Sequence, residues 1–189
     1  MDRSRKGVRI LLISLLLLCN GEVFSQEARK EPCDGIAVPE PVLQALAHQF
    51  SAWRALRLSD LDPSHQGFWL DSKHGRSCPG IAIGHFESKS RLSYAFLLIP
   101  KQSSGAGYKL VVVSDTKRTP YNIKVLEEEN HPGKISTVVY SVSPGKYSDA
   151  EEEVSVQIPM QGIQSEQMEV GAVLFYWKNG KYHSLVVSN

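Results

Sequence analysis

The chain is 189 residues long, 42% hydrophobic and 22% charged, with a formal net charge of +1. That length suits a single domain with a sizeable core, and the charge balance excludes both the basic footprint of a nucleic-acid binder and an acidic tail. The 14 glycines and 10 prolines are ordinary, which removes collagen-like and low-complexity classes.

Residues 1–25 have the pattern of a signal peptide. Arg3, Arg5, Lys6 and Arg9 form a positive start, and residues 10–18, interrupted only by Ser14, form an apolar run too short to span a membrane. Val23 and Ser25 then stand at −3 and −1 of a cleavage site, giving a mature start at Gln26. Cys19 opens a rival lipoprotein reading, but a lipidated cysteine takes a small residue before it, and here that residue is Leu18. The expected compartment is therefore periplasmic or extracellular, with no transmembrane segment left after cleavage. Removing Asp2, Arg3, Arg5, Lys6, Arg9 and Glu22 takes the net charge from +1 to −1.

Residues 26–38 are expected to form an N-terminal arm, loose over the charged stretch 27–31, and residues 39–189 a single domain. Pro39 and Pro41 suit a helix start. From there Leu43, Leu46, Ala47, Phe50 and Trp53 recur at three- and four-residue steps, with Gln44, His48, Ser51 and Arg54 opposite. The pattern fades at Ser59-Asp60-Leu61-Asp62-Pro63, so the spacing predicts one amphipathic helix over 40–58.

Strand signals follow. Residues 67–70 are short and apolar, and residues 81–86, 94–99, 108–113, 121–126, 135–142 and 154–158 are strand-like runs joined by short polar turns. Such spacing favours antiparallel meanders over parallel crossovers. The last signal is the strongest. Residues 172–177 and 182–187 flank Asn179-Gly180, a type I′ hairpin turn that sets Trp177 opposite Tyr182 and Leu174 opposite Leu185. Both strands are apolar on both faces, so they should lie inside the sheet with the helix over one side. The fold class expected is α+β, one N-terminal amphipathic helix packed on a mostly antiparallel sheet.

Cleavage leaves two cysteines, Cys33 and Cys78. In an oxidising compartment they read as a disulfide worth roughly 4 kcal/mol by loop entropy. The competing nucleophile reading is poor, because Cys78 enters the turn Pro79-Gly80 rather than a helix start that would acidify a thiol.

Residues 78–99, CPGIAIGHFESKSRLSYAFLLI, and the closing FYWKNGKYH resemble segments of uncharacterised bacterial secreted proteins. In those proteins the middle is similar to the calcium-loop strands of FG-GAP repeats. This chain departs from the calcium pattern at His85, Ser88, Ser90 and Ser93, where acidic or amide ligands would stand. Calcium requires several hard oxygen ligands, and Glu87 is the one carboxylate left in the loop. The resemblance thus implies a β-hairpin scaffold whose metal site, if ancestral, is gone.

Other constellations carry little. His65, His74, Cys78 and His85 lack the spacing of a zinc signature. Neither a G-x-S-x-G elbow nor H-E-x-x-H occurs, and Gly105-Ala106-Gly107 lacks the ending of a phosphate loop. Glu127–Glu129 and Glu151–Glu153 read as solvated turns, since burying three acids together is prohibitive. No catalytic, cofactor or metal residues are assigned. The leading expectation is an exported non-enzymatic domain that binds another envelope or secreted protein. A small secreted hydrolase is the alternative, and a purely structural domain the third reading.

Overall fold

The computed structural model describes residues 31–102, 106–114, 121–132, 135–150 and 154–187. The expected signal peptide, Cys19, the Gln26 start and the acidic run at 151–153 lie outside the described residues.

The described chain is mostly antiparallel β-sheet. In the first sheet, β3 (Ser93–Pro100) pairs with β4 (Ala106–Ser114), which pairs with β5 (Asn122–Pro132). The other edge of β3 is shared end to end by β1 (Trp53–Ala55) and β2 (Ile81–Gly84). The second sheet runs β11 (Lys181–Val187), β10 (Gly171–Lys178), β9 (Gly162–Gln167), β6 (Thr137–Val142). A separate ribbon pairs β7 (Gly145–Ser148) with β8 (Ser155–Ile158).

Strand alternation explains the layering. Along β3, Ala95, Leu97 and Ile99 join Phe86, Leu110, Val112, Val139, Ile163 and Phe175 in the core between the two sheets. The other face of β3, Tyr94, Phe96 and Leu98, meets Val42 and Leu46 of α1 (Glu40–Gln49). Behind the second sheet, Ala172, Leu174, Tyr176, Leu185 and Val187 pack on Ile158 and on the half-buried Tyr147 and Val156 of the ribbon.

Several expectations are corrected. The helix expected over 40–58 ends at Gln49, and Trp53 lies on β1, paired with Pro100. The apolar spacing tracked a shared surface rather than one element: Leu46, Phe50 and Trp53 all reach the same cluster, but through a helix, a turn and an edge strand. Leu43, assigned to the apolar face, is 40% exposed, and Val42 is buried instead. Residues 67–70, read as strand-like, belong to a second helix, α2 (Pro63–Asp71). Its N-cap is Asp62, whose Oδ1 accepts from the backbone of Ser64 and His65, both at 3.1 Å, and Pro63 occupies the first turn. β7 and β9 were not foreseen. The terminal hairpin has the expected register, Trp177 opposite Tyr182 and Leu174 opposite Leu185. Its covers, however, are the first sheet and the ribbon rather than a helix, and β11 is a sheet edge.

Cys33 and Cys78 are joined by a disulfide that ties the 3₁₀ turn Pro32–Gly35 to the start of β2. Glu31, read as part of a loose arm, accepts from the backbone N–H of Leu58 at 2.9 Å and of Ser59 at 3.3 Å. Glu127–Glu129 lie within β5 rather than in a turn: Tyr108 donates to Glu127 at 2.6 Å, and Lys109 pairs with Glu128. Cross-strand partners on β4 are what make an acidic strand tolerable.

Candidate functional site

The segment 85–92, between β2 and β3, is short and heavily anchored. Phe86 drops into the inter-sheet core with 1% exposure. The backbone N–H of His85 donates to Gln161 Oε1 at 2.8 Å, fixing the loop to the second sheet's entry. The His85 ring Nδ1 lies 3.1 Å from the Arg91 carbonyl oxygen. A carbonyl only accepts, so Nδ1 carries the proton and, in the neutral ring, Nε2 keeps its lone pair. Ser88 and Ser90 hydroxyls lie 3.1 Å apart and satisfy each other, while Ser93 is buried in β3 opposite Gly84 and Ser114.

Glu87 points back between the sheets. Lys124 of β5 donates to Glu87 Oε1 at 2.8 Å and stands 4.3 Å from the Trp177 ring centre and 5.6 Å from that of Tyr182. Trp177 and Tyr182 meet edge to face at 5.0 Å. One ammonium therefore joins the first sheet, the loop and the terminal hairpin through an ion pair and two ring faces. Burial, then the nearby Glu87 carboxylate, push the Tyr182 phenol well above its ordinary range.

Outside this anchor, the loop forms one wall of an open groove of about 450 Å³. Pro39 and Val42, at the start of α1, form the facing wall; His85, Arg91, Leu92, Tyr94 and Tyr121 also line the trench. Leu92 is 43% exposed on its lip.

No protein-family model, curated protein or solved structure matches this chain.

The four residues weighed as a zinc set are dispersed. Cys78 is in the disulfide, and His85 serves the loop. His65 lies with Nδ1 3.2 Å from Asp62 and Nε2 3.9 Å from Glu169. His74 is stacked on Tyr140 at 4.0 Å. Among the described residues, no three His, Cys, Asp or Glu side chains are grouped to hold a metal. Among them, too, no helix is long and apolar enough to cross a membrane.

Arg91, Leu92, Tyr94 and Tyr121 were not singled out from the sequence, although a signal was present. Leu92 is a large apolar residue between a charged turn and the buried strand β3, and it is left outside that buried run.

Proposed function

We propose that this chain is an exported domain that binds another envelope or secreted protein as an accessory factor, with its signal peptide at residues 1–25 and its contact face at the groove between α1 and the loop 85–92. The observation that carries this reading is the groove's composition. It joins an exposed leucine to an arginine and two tyrosines in one open trench, and aromatic side chains and arginine are the residues enriched in protein interfaces. A Lys124-clamped loop also supports it, since a rigid wall loses little freedom on binding. The calcium-loop resemblance fits the same reading. A lysine ammonium now meets the one loop carboxylate, and the segment serves as scaffold.

The hydrolase alternative draws on the Asp62–His65 pair. There both ring nitrogens lie beside carboxylates, Nδ1 at 3.2 Å from Asp62 and Nε2 at 3.9 Å from Glu169, rather than beside a nucleophile.

The test is a photo-crosslinking side chain at position 92, with a second at position 186 on the far hairpin, in chain produced by an exporting cell. A discrete adduct at 92 that is absent at 186 and lost with Arg91→Glu supports the reading. Equal labelling at both positions, or no adduct at 92, overturns it.

A further inference from the structure

A second concavity, sharing no lining residue with the groove, lies at the seam where the edges of the two sheets meet. There β2 and β6 run close together, and the Val139 N–H donates to the Pro79 carbonyl at 2.8 Å. The cavity is about 290 Å³, near the lower end of small-molecule sites. Its floor is Ile81, Ala82 and Ile83 of β2; Ile36, held in place by the neighbouring disulfide, lines it as well.

Its polar groups are set by a chain of bonded side chains. Gln164 Nε2 donates to the Tyr140 hydroxyl at 2.6 Å, and that hydroxyl donates to Glu166. The ring of Tyr140 is thereby fixed, with its hydrogen committed away from the cavity. His74 stacks on it at 4.0 Å and 24°, and Trp69 flanks the imidazole at 5.8 Å, anchored by its own Nε1 bond to the Ser77 carbonyl at 3.0 Å. The loop Ser72 to Ser77 is locked by three successive turns: Ser72 Oγ accepts from the His74 N–H, Gly75 bonds to Ser72, and Ser77 bonds to His74. The exposed Arg76 guanidinium stands uncommitted at the rim, while His74 Nε2 is closed off from solvent with no hydrogen-bond partner. Burial and the adjacent Lys73 hold His74 below its ordinary range, so near pH 7 it is a neutral ring able to give or take one hydrogen bond.

We propose that this cavity binds a small organic monoanion, a carboxylate on a flat apolar body, with the body against Tyr140, Ile81 and Ile83 and the carboxylate toward the Arg76 guanidinium. A stacked aromatic wall suits a planar body, and a guanidinium fork suits a carboxylate over an alcohol or amine. The site is separate from the groove of the preceding section, so either can fail alone.

The experiment is an amide NMR titration of the full-length exported protein with benzoate, benzyl alcohol and benzylamine. The proposal expects saturable shifts at residues 74, 76, 83 and 141 with benzoate, and binding about tenfold weaker for benzyl alcohol, the range of a lost charged hydrogen bond. Arg76→Gln, at an exposed position, should bring benzoate down to the level of the alcohol. His74→Phe keeps the stack on Tyr140 and removes only an enclosed nitrogen, so benzoate should still bind within about twofold. No saturable shift at those amides, or benzylamine binding as tightly as benzoate, overturns the proposal.

Discussion

Gly107 and Gly180 both sit near φ +80°, at 79° and 80°, yet for different reasons. A Cβ on Gly180 would meet nothing within 4 Å, so only the left-handed backbone resists a side chain there. On Gly107 a Cβ would fall 1.7 Å from the Glu129 carbonyl oxygen, where β4 and β5 slip register. Gly180→Ala should therefore cost about 1 kcal/mol, the left-handed penalty alone. Gly107→Ala should cost more than about 3 kcal/mol, because a strand backbone must also move. Urea unfolding of the two variants checks the ordering, and equal losses would show that the close approach at Gly107 is not limiting. His74 gives a pH signature at the same scale. Its folded-state pKa lies below the ordinary 6.5 because of burial and Lys73, with Glu166 opposing. The unfolded chain then takes up a proton before the folded one does, so stability should be full above pH 6.5 and fall as the pH drops below it. His74→Phe should remove that slope in a series of melts across the range. Asp62 acts further down: hydrogen bonds from the Ser64 hydroxyl and His65 N–H hold it at about 2, so its contribution fades only as the pH falls below 4.

The terminal hairpin and β5 meet through Lys124, and the coupling can be measured. Trp177 is half-buried, and its ring makes an edge contact with Tyr182 and a face contact with Lys124. Trp177→Ala should cost about 2–3 kcal/mol, below the 3–5 of a fully buried aromatic. Lys124→Met keeps much of the side chain's length but leaves Glu87 without its cation. In a double-mutant cycle the two should be non-additive by about 0.5–1 kcal/mol, the range of a partly exposed cation–π contact. Strict additivity would mean that the ammonium and indole are merely adjacent. The hairpin was legible in the sequence because Asn179-Gly180 specifies both turn type and register locally. α2 was missed for the opposite reason. Its start signal, Asp62-Pro63, sat beside an apolar triplet that periodicity alone reads as strand, and only the N-cap bonds decide. β9 was missed because Gln164 and Ser165 look like a loop in isolation. They are buried here because Tyr140 and the neighbouring strands use their polar atoms and backbone.

For the whole molecule, the antiparallel character was legible from short polar turns, but the division into two sheets and a ribbon was not. The unbroken apolar run says that β3 is buried on both faces; it does not say that a helix takes one and a second sheet the other. The groove and the seam cavity stayed hidden for the same reason. Each is built by residues far apart in the chain, Pro39 with Tyr121 in one and Ile36 with Ser141 in the other, and no local pattern encodes that meeting. The pairing of Cys33 with Cys78 was accessible by elimination, since cleavage would leave no other cysteine.

The two sulfurs of that bond face different worlds. Cys78 has 0% exposure, whereas Cys33 sits half-buried on a surface turn. A reducing thiolate must approach in line with the sulfur it attacks, so the reagent has a route to Cys33 and none to Cys78 while the core is closed. Reduction of the native protein should pass through a mixed disulfide on Cys33 alone, with Cys78 as the leaving thiol inside the fold. Limited reduction followed by alkylation and peptide mapping should find label on Cys33 first and on Cys78 only after denaturant. Simultaneous labelling would mean that the core breathes faster than the reagent reacts. The same geometry runs in reverse when the bond forms: an oxidant has a route to Cys33, and the enclosed Cys78 thiolate then resolves the mixed disulfide from inside the fold, so the finished protein can close the bond as well as open it.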